Sequence, residues 1–193
     1  MIIALAVPAY RQQINVRTAQ NWTQDTIFAM QQGWRPLMLW TDINSIECSR
    51  NTIVKQACEV GARLLLMCDA DTMPAVPDGG LRSMWDAMCE TGAAVVGAAV
   101  PVRNGSTMNC EPAEPGAVYD GVVGTGYMLV DLIKLRDLPK PWFSVVLSDD
   151  GTEKAVGSDI GFCRAVRSAG HRVVVNYRLP MAHFETSAVA TRP

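Results

Sequence analysis

The run Leu64-Leu65-Leu66-Met67-Cys68-Asp69-Ala70-Asp71 decides the reading of this chain. Five consecutive apolar residues match a strand buried on both faces, as parallel strands between helices are. Two carboxylates follow at once, one residue apart, where the strand gives way to a loop. In open α/β sheets, ligands bind beyond the carboxyl ends of strands. Paired carboxylates at such a turn suit a hard divalent cation, Mn²⁺ or Mg²⁺, shared with substrate phosphates. A short D-x-D is also satisfied by one turn cap and one solvated acid. The buried strand in front of it favours the metal.

Working outward, Ile2 to Val7 is strand-like and stops at Pro8. Val16 to Gln32 has helical spacing, with Ile27, Phe28 and Met30 assigned to its inner side and Gly33 as its stop. Leu37 to Trp40 is a second strand. Ser45 or Ser49 caps a helix ending at Gly61, with Ile53, Val54, Ala57 and Val60 on its apolar face. Downstream, a third helix covers Asp78 to Thr91, and Val95 to Val100 is a fourth strand. This alternation predicts an α/β sheet, largely parallel in its first half. From 101 to 125 the periodicity breaks into proline- and glycine-rich loops with one or two short strands. Tyr127 to Val130 is strand-like, 131–138 a short helix and Trp142 to Leu147 a strand. Ser148 to Gly157 reads as a mobile polar loop. Ser158 caps a helix reaching Ala169, and Arg172 to Tyr177 is the last strand. With no repeat and no linker, one domain is expected.

Composition excludes several classes. Of 193 residues, 49% are apolar and 19% charged, so the chain is not mostly disordered. The 17 basic and 19 acidic residues give a net charge of −2, and no global basic field draws it to nucleic acid. The apolar runs reach about ten residues, where a bilayer helix needs about 20, so no membrane segment is expected. No basic segment precedes the first apolar run, so a signal peptide is not expected either. The six cysteines form no C-x-x-C pair and several lie in apolar runs. That reads as reduced thiols in a cytoplasmic protein.

Two further features carry chemistry. His183, in Met181-Ala182-His183-Phe184-Glu185, follows the last strand, and an imidazole can complete a metal site begun by carboxylates. Asp159, in Gly157-Ser158-Asp159, opens the last helix. A carboxylate there is stabilised by the helix N-terminus, or it serves as a general base facing a site. Asp149 and Asp150 compete with it for that role.

The order of these motifs resembles the GT-A glycosyltransferases, most of all small proteins similar to inverting glycosyltransferase family 2. The likeness covers nearly the whole chain. It runs through Val7-Pro8-Ala9-Tyr10, Ser49-Arg50-Asn51, Gly61-Ala62, Leu64 to Asp71 with Pro74, Gly124-Thr125-Gly126-Tyr127-Met128 and Pro141-Trp142-Phe143. Ser158-Asp159-Ile160-Gly161-Phe162-Cys163-Arg164 is similar to the segment written E-D-x-D-F-C-R, with Ser158 in place of the Glu and Gly161 in place of the second Asp. His183 stands where a late histidine ligand is often found.

The resemblance implies a GT-A fold: Rossmann-like α/β, a mostly parallel central sheet flanked by helices, a single domain over 1–193. Residues 1–100 would be the nucleotide-sugar and metal half, and 101–193 the acceptor half. It implies Asp69, Asp71 and His183 as ligands of Mn²⁺ or Mg²⁺. Pro8, Tyr10, Asp42, Arg50 and Asp69 would line the nucleotide sugar, and Asp159 would be the catalytic base. The donor would be a nucleoside diphosphate sugar, a UDP-sugar first among them. The compact form is similar to phage-type enzymes, so the acceptor stays open between a hydroxymethylated base in phage DNA and a saccharide or protein hydroxyl. Arg103, Lys140, Arg164, Arg167 and Arg172 would form a basic edge for DNA. Two other classes remain. One is a non-catalytic GT-A-like nucleotide-sugar-binding module. The other is a phosphatase of the haloacid dehalogenase type, whose D-x-D ends the first strand of its fold.

Overall fold

The computed structural model describes residues 1–8, 14–43, 45–102, 107–111 and 114–184. Its centre is a seven-stranded sheet in the order β2-β1-β3-β7-β5-β10-β6. In chain order these are β1 (Ile2–Pro8), β2 (Arg35–Thr41), β3 (Leu64–Cys68), β5 (Val95–Ala98), β6 (Val118–Asp120), β7 (Tyr127–Asp131) and β10 (Val173–Asn176). β1 pairs in parallel with β2 and β3, and β5 with β10. Only β7 and β6 run against their neighbours. Two small ribbons complete the strands: β4 (Thr72–Pro74) with β11 (Met181–His183), and β8 (Val146–Leu147) with β9 (Lys154–Val156). This is the mostly parallel α/β architecture that the strand–helix alternation predicts. Two strand–helix units precede the D-x-D turn, so it does not end the first strand as a haloacid dehalogenase motif would.

The period of two along each strand divides the core. Ala4, Ala6, Leu65 and Met67 face one layer, with Ile53, Val54 and Ala57 of α2 (Ile46–Glu59) and Phe162, Cys163 and Val166 of α4 (Ser158–Ser168). Ile3, Leu5, Leu64, Leu66 and Cys68 face the other, with Phe28 and Ala29 of α1 (Val16–Gln31) and Leu81, Met84, Ala87 and Met88 of α3 (Leu81–Thr91). Full burial on both faces explains the unbroken LLLMC run.

Several local expectations change. Ile27 and Met30 are 43% and 63% exposed, and Val60 is exposed as well. The buried stripe of α1 is largely polar instead, formed by Thr18, Asn21, Asp25, Phe28 and Ala29. α2 is capped by Ser45, whose Oγ accepts the Cys48 N–H. Gly157, not Ser158, is the N-cap of α4. α3 begins at Leu81, three residues later than expected. Its first N–H groups are capped from a distance: Asp25 Oδ1 accepts from Gly80 N and Leu81 N at 3.0 and 2.9 Å. Residues 132–138 form turns, not a helix, and only Val146–Leu147 of the expected strand at 142–147 is extended. Trp142 and Phe143 pack against Phe162 in the core. The 148–157 stretch is part of a surface β-hairpin. No described helix is long and apolar enough to cross a membrane, and all six cysteines are free thiols.

Candidate active site

The site lies beyond the carboxyl end of β3. The Asp69-Ala70-Asp71 turn is tied down at every peptide. Asp69 N donates to Gly126 O (2.9 Å), Asn15 N to Ala70 O (2.9 Å) and Phe184 N to Asp71 O (2.7 Å). The β4–β11 pairing sets Thr72 opposite His183. His183 is thereby brought to the turn from more than a hundred residues away.

The His183 ring is fixed at both nitrogens. Nδ1 lies 2.8 Å from Pro101 O, and Nε2 lies 3.4 Å from Asp71 Oδ2. A carbonyl only accepts, so Nδ1 donates its proton to Pro101 O, and Nε2 is the nitrogen turned toward Asp71. This is the arrangement that metal-binding histidines use, with a carbonyl on the outer nitrogen. Asp71 and His183 therefore fit a shared divalent cation. Asp69 does not join them in a ready three-ligand cluster: no group of three or more His, Cys, Asp or Glu among the described residues is gathered for an ion. Its Oδ1 instead lies 3.4 Å from Nη2 of Arg50, which is 7% exposed and stacks over the Phe143 ring.

Asp159 sits half-buried in the first turn of α4. A cavity of about 130 Å³ joins it to Arg50, Asp69, Thr72, Asn109, Thr125 and His183. Gly124 lies at its floor. A Cβ there would meet Asn109 Nδ2 at 2.9 Å and Asp159 Oδ2 at 3.2 Å, so only glycine leaves these polar groups open to a common point. Asn109 is held by its Oδ1, which accepts from Val100 N at 2.9 Å. The rival acids lie elsewhere. Asp150 accepts from Ser148 Oγ, Thr152 N and Thr152 Oγ1 in its own exposed turn, and these donors hold its pKa down at about 2. Asp149 is exposed on the same turn and does not line the cavity.

Of the other expected residues, Pro8 ends β1 in register with Thr41, and Asp42 is exposed just beyond β2. Tyr10, Arg103 and Glu185 lie outside the described residues. Three buried polar atoms beside these groups have no hydrogen-bond partner: Thr41 Oγ1, Arg50 Nε and Thr125 Oγ1. Leaving a buried donor or acceptor unmet costs about 1–3 kcal/mol, which a polar ligand can relieve. The proposed basic edge is weakened, because Arg172 is paired through Nε and Nη2 with Asp120. A larger cavity of about 420 Å³ is lined by Arg17, Gln20, Asn21 and Met73 among others. Its lining contains none of the site carboxylates.

Sequence reasoning missed Asn109, Thr72 and Asp25. Asn109 lies in a stretch without periodicity, and the other two act through backbone partners more than fifty residues away in the chain. No local signal marks them.

No family model matches the chain, and no curated protein sequence matches it. Solved structures do. The protein A197 of STIV superposes with a TM-score of 0.67 at 15% identity, covering 96% of this chain and 86% of that one. A mutant of Drosophila beta-1,4-galactosyltransferase 7, in complex with manganese, UDP-Gal and xylobiose, gives 0.52 at 15% identity, covering 95% and 71%. TarS of S. aureus, in complex with UDP, gives 0.51 at 12% identity; this chain is covered to 94% but spans only 60% of the TarS chain. The sheet order, the turn beyond β3 and these superpositions together establish that the chain has the GT-A fold.

Proposed function

We propose that this protein is a metal-dependent glycosyltransferase. It moves a hexosyl or pentosyl group from a nucleoside diphosphate sugar, first of all a UDP-sugar, to an acceptor hydroxyl with inversion. The observation that carries this is the single cavity with Arg50, Asp69 and His183 on one side and Asp159 on the other, on a GT-A fold. The residues of this reading for the nucleotide sugar are Pro8, Asp42, Arg50 and Asp69, with Tyr10, which lies outside the described residues, and the diphosphate is set against the Arg50 guanidinium. Asp71 and His183, with Asp69 nearby, would hold Mn²⁺ or Mg²⁺. The bound cation supplies positive charge against the charge that builds on the diphosphate.

The chain's own residues do the rest. Asp159 takes the proton of the acceptor hydroxyl. That oxygen forms a bond to the anomeric carbon as the bond from that carbon to the diphosphate oxygen breaks, and the electron pair leaves with the diphosphate. One displacement inverts the configuration. The Asn109 amide, across Gly124 from Asp159, offers an N–H to the acceptor.

Thermal-shift titration of UDP, GDP and their sugars with and without Mn²⁺ tests the donor reading, since a ligand that binds only the folded state raises Tm. Incubation of UDP-sugars with hydroxymethylated DNA, saccharides and serine peptides then tests the acceptor. Binding without turnover on any acceptor or water would favour the non-catalytic module.

A further inference from the structure

One hydroxyl joins the metal side of the site to the acceptor side. Thr72 is 1% exposed. Its Oγ1 lies 2.6 Å from Gly126 O and 3.2 Å from Asp69 O; with one proton to give, it donates to the nearer carbonyl. Gly126 O also accepts the Asp69 N–H at 2.9 Å, so both ends of the D-x-D turn are fastened to one carbonyl. Thr72 N donates to Asp69 O at 3.2 Å, and Thr72 O accepts from Thr18 Oγ1 at 2.9 Å. Across β4–β11 the same residue is in register with His183. Two residues before Gly126, Gly124 faces Asp159 and Asn109. The Gly126 backbone runs close to Val100, since a Cβ added to it would lie 3.0 Å from Val100 Cγ2.

We infer that Thr72 is a positioning residue, which sets the Asp71–His183 pair at a fixed distance from the acceptor-side turn Gly124–Gly126. This rests on the metal-dependent reading above. The hydroxyl is not needed to satisfy Gly126 O, which keeps the Asp69 N–H when Oγ1 is removed. Its loss therefore loosens the Thr72 end of the turn without stranding a buried carbonyl. Threonine suits the place because its β-branched shape fits a strand, while its hydroxyl reaches the neighbouring carbonyl.

The test compares Thr72→Val, similar in shape but without the hydroxyl, with Thr72→Ser, which keeps it. Mn²⁺ affinity in the presence of UDP is read by electron paramagnetic resonance, and Tm is read in parallel. The Val variant is expected to lose about tenfold in Mn²⁺ affinity, the lower end for loss of an outer-shell partner. The Ser variant is expected to restore it. A purely structural hydroxyl would lower Tm in the Val variant and leave Mn²⁺ affinity at the parental value, and that result overturns the inference. Failure of Ser to restore affinity overturns it as well. If the parent binds no Mn²⁺ with UDP, the glycosyltransferase reading fails, and the positioning claim is then judged by amide exchange. Faster exchange of the Asp69 and Phe184 amides in the Val variant upholds it, and unchanged exchange overturns it.

Discussion

The D-x-D turn, which lines the cavity, and the β8–β9 hairpin, which precedes Asp159 in the chain, are built in opposite ways. The turn is fastened by distant partners: Asn15, Thr18, Gly126 and Phe184 all bond to its backbone. The hairpin is fastened to itself. Ser148, Asp150, Thr152 and Glu153 bond among one another, and Val146 and Leu147 are at least half exposed. A carboxylate on the turn cannot move without disturbing α1, β7 and β11. One on the hairpin tip moves with few consequences. The turn is thus laid down by the fold, while the hairpin ahead of Asp159 is free to shift. Local opening of this kind is expected where long-range contacts are few.

The largest expected effect is on the rigid side. Asp71→Asn abolishes Mn²⁺-dependent UDP binding with the fold intact, read by calorimetry with circular dichroism as the control. Normal sugar transfer by this variant would remove the metal from the donor side. Next, Asp159→Asn lowers the transfer rate by about 10² to 10⁴ with donor affinity little changed, the usual contribution of a positioned base. Near-parental turnover, or a product that retains configuration, would leave Asp159 as a helix-terminal charge only. Third, Gly124→Ala pushes a methyl against Asn109 and Asp159. Transfer is expected to fall about tenfold to a hundredfold while Mn²⁺–UDP binding stays, since small misplacements at a reacting centre cost rates of that order. Equal loss in both assays would mean that the two sides are not separable.

The smallest effect compares two carboxylates by pH. Burial raises the pKa of Asp25 above the usual value, against hydrogen bonds from Tyr127, Leu81, Gly80 and Asn21 that lower it. Its share of stability is therefore full below the ordinary carboxylate range, about pH 4, and is lost as pH rises through the raised value. Asp150 has the opposite sign: its local bonds hold the pKa at about 2, so its share is present above the ordinary range and is lost as pH falls toward 2. Urea melts from pH 4 to 7 should show the Asp25 slope in the parent and a flatter curve in Asp25→Asn. Identical slopes would show that Asp25 does not titrate in that window. For Asp150, nuclear magnetic resonance should show the hairpin tip loosening only at the acid end.

The regular half of the fold was legible because strands buried on both faces leave unbroken apolar runs, as in Leu64 to Cys68 and Val95 to Val100. The candidate carboxylates stood out in the sequence because they stand at chain punctuation: Asp69 and Asp71 at a strand end, Asp159 at a helix start. The inner face of α1 was not, because its buried positions carry Thr, Asn and Asp, which local pattern assigns to solvent. Ile27 and Met30 were assigned inward for the same reason, by hydrophobicity alone. Asn109 was hidden in a segment whose conformation is set by Val100 and Gly124, not by its own sequence.

The borrowed cap of α3 has a consequence for the order of assembly. The helix starts after Gly79-Gly80, which offers no side chain to its free N–H groups, and Gly79 is held at a φ of 78° directly over Asp25. Tyr127 donates to the other oxygen of the same carboxylate, Oδ2, at 2.6 Å. Until α1 has docked, α3 lacks the acceptor that defines its first turn. A peptide spanning 78–92 should fray at its N-terminal end, and α3 should gain its full length only as α1 and β7 close around Asp25. The acid is made 55 residues ahead of the helix it starts, so synthesis from the N-terminus delivers the template before the part that is built on it.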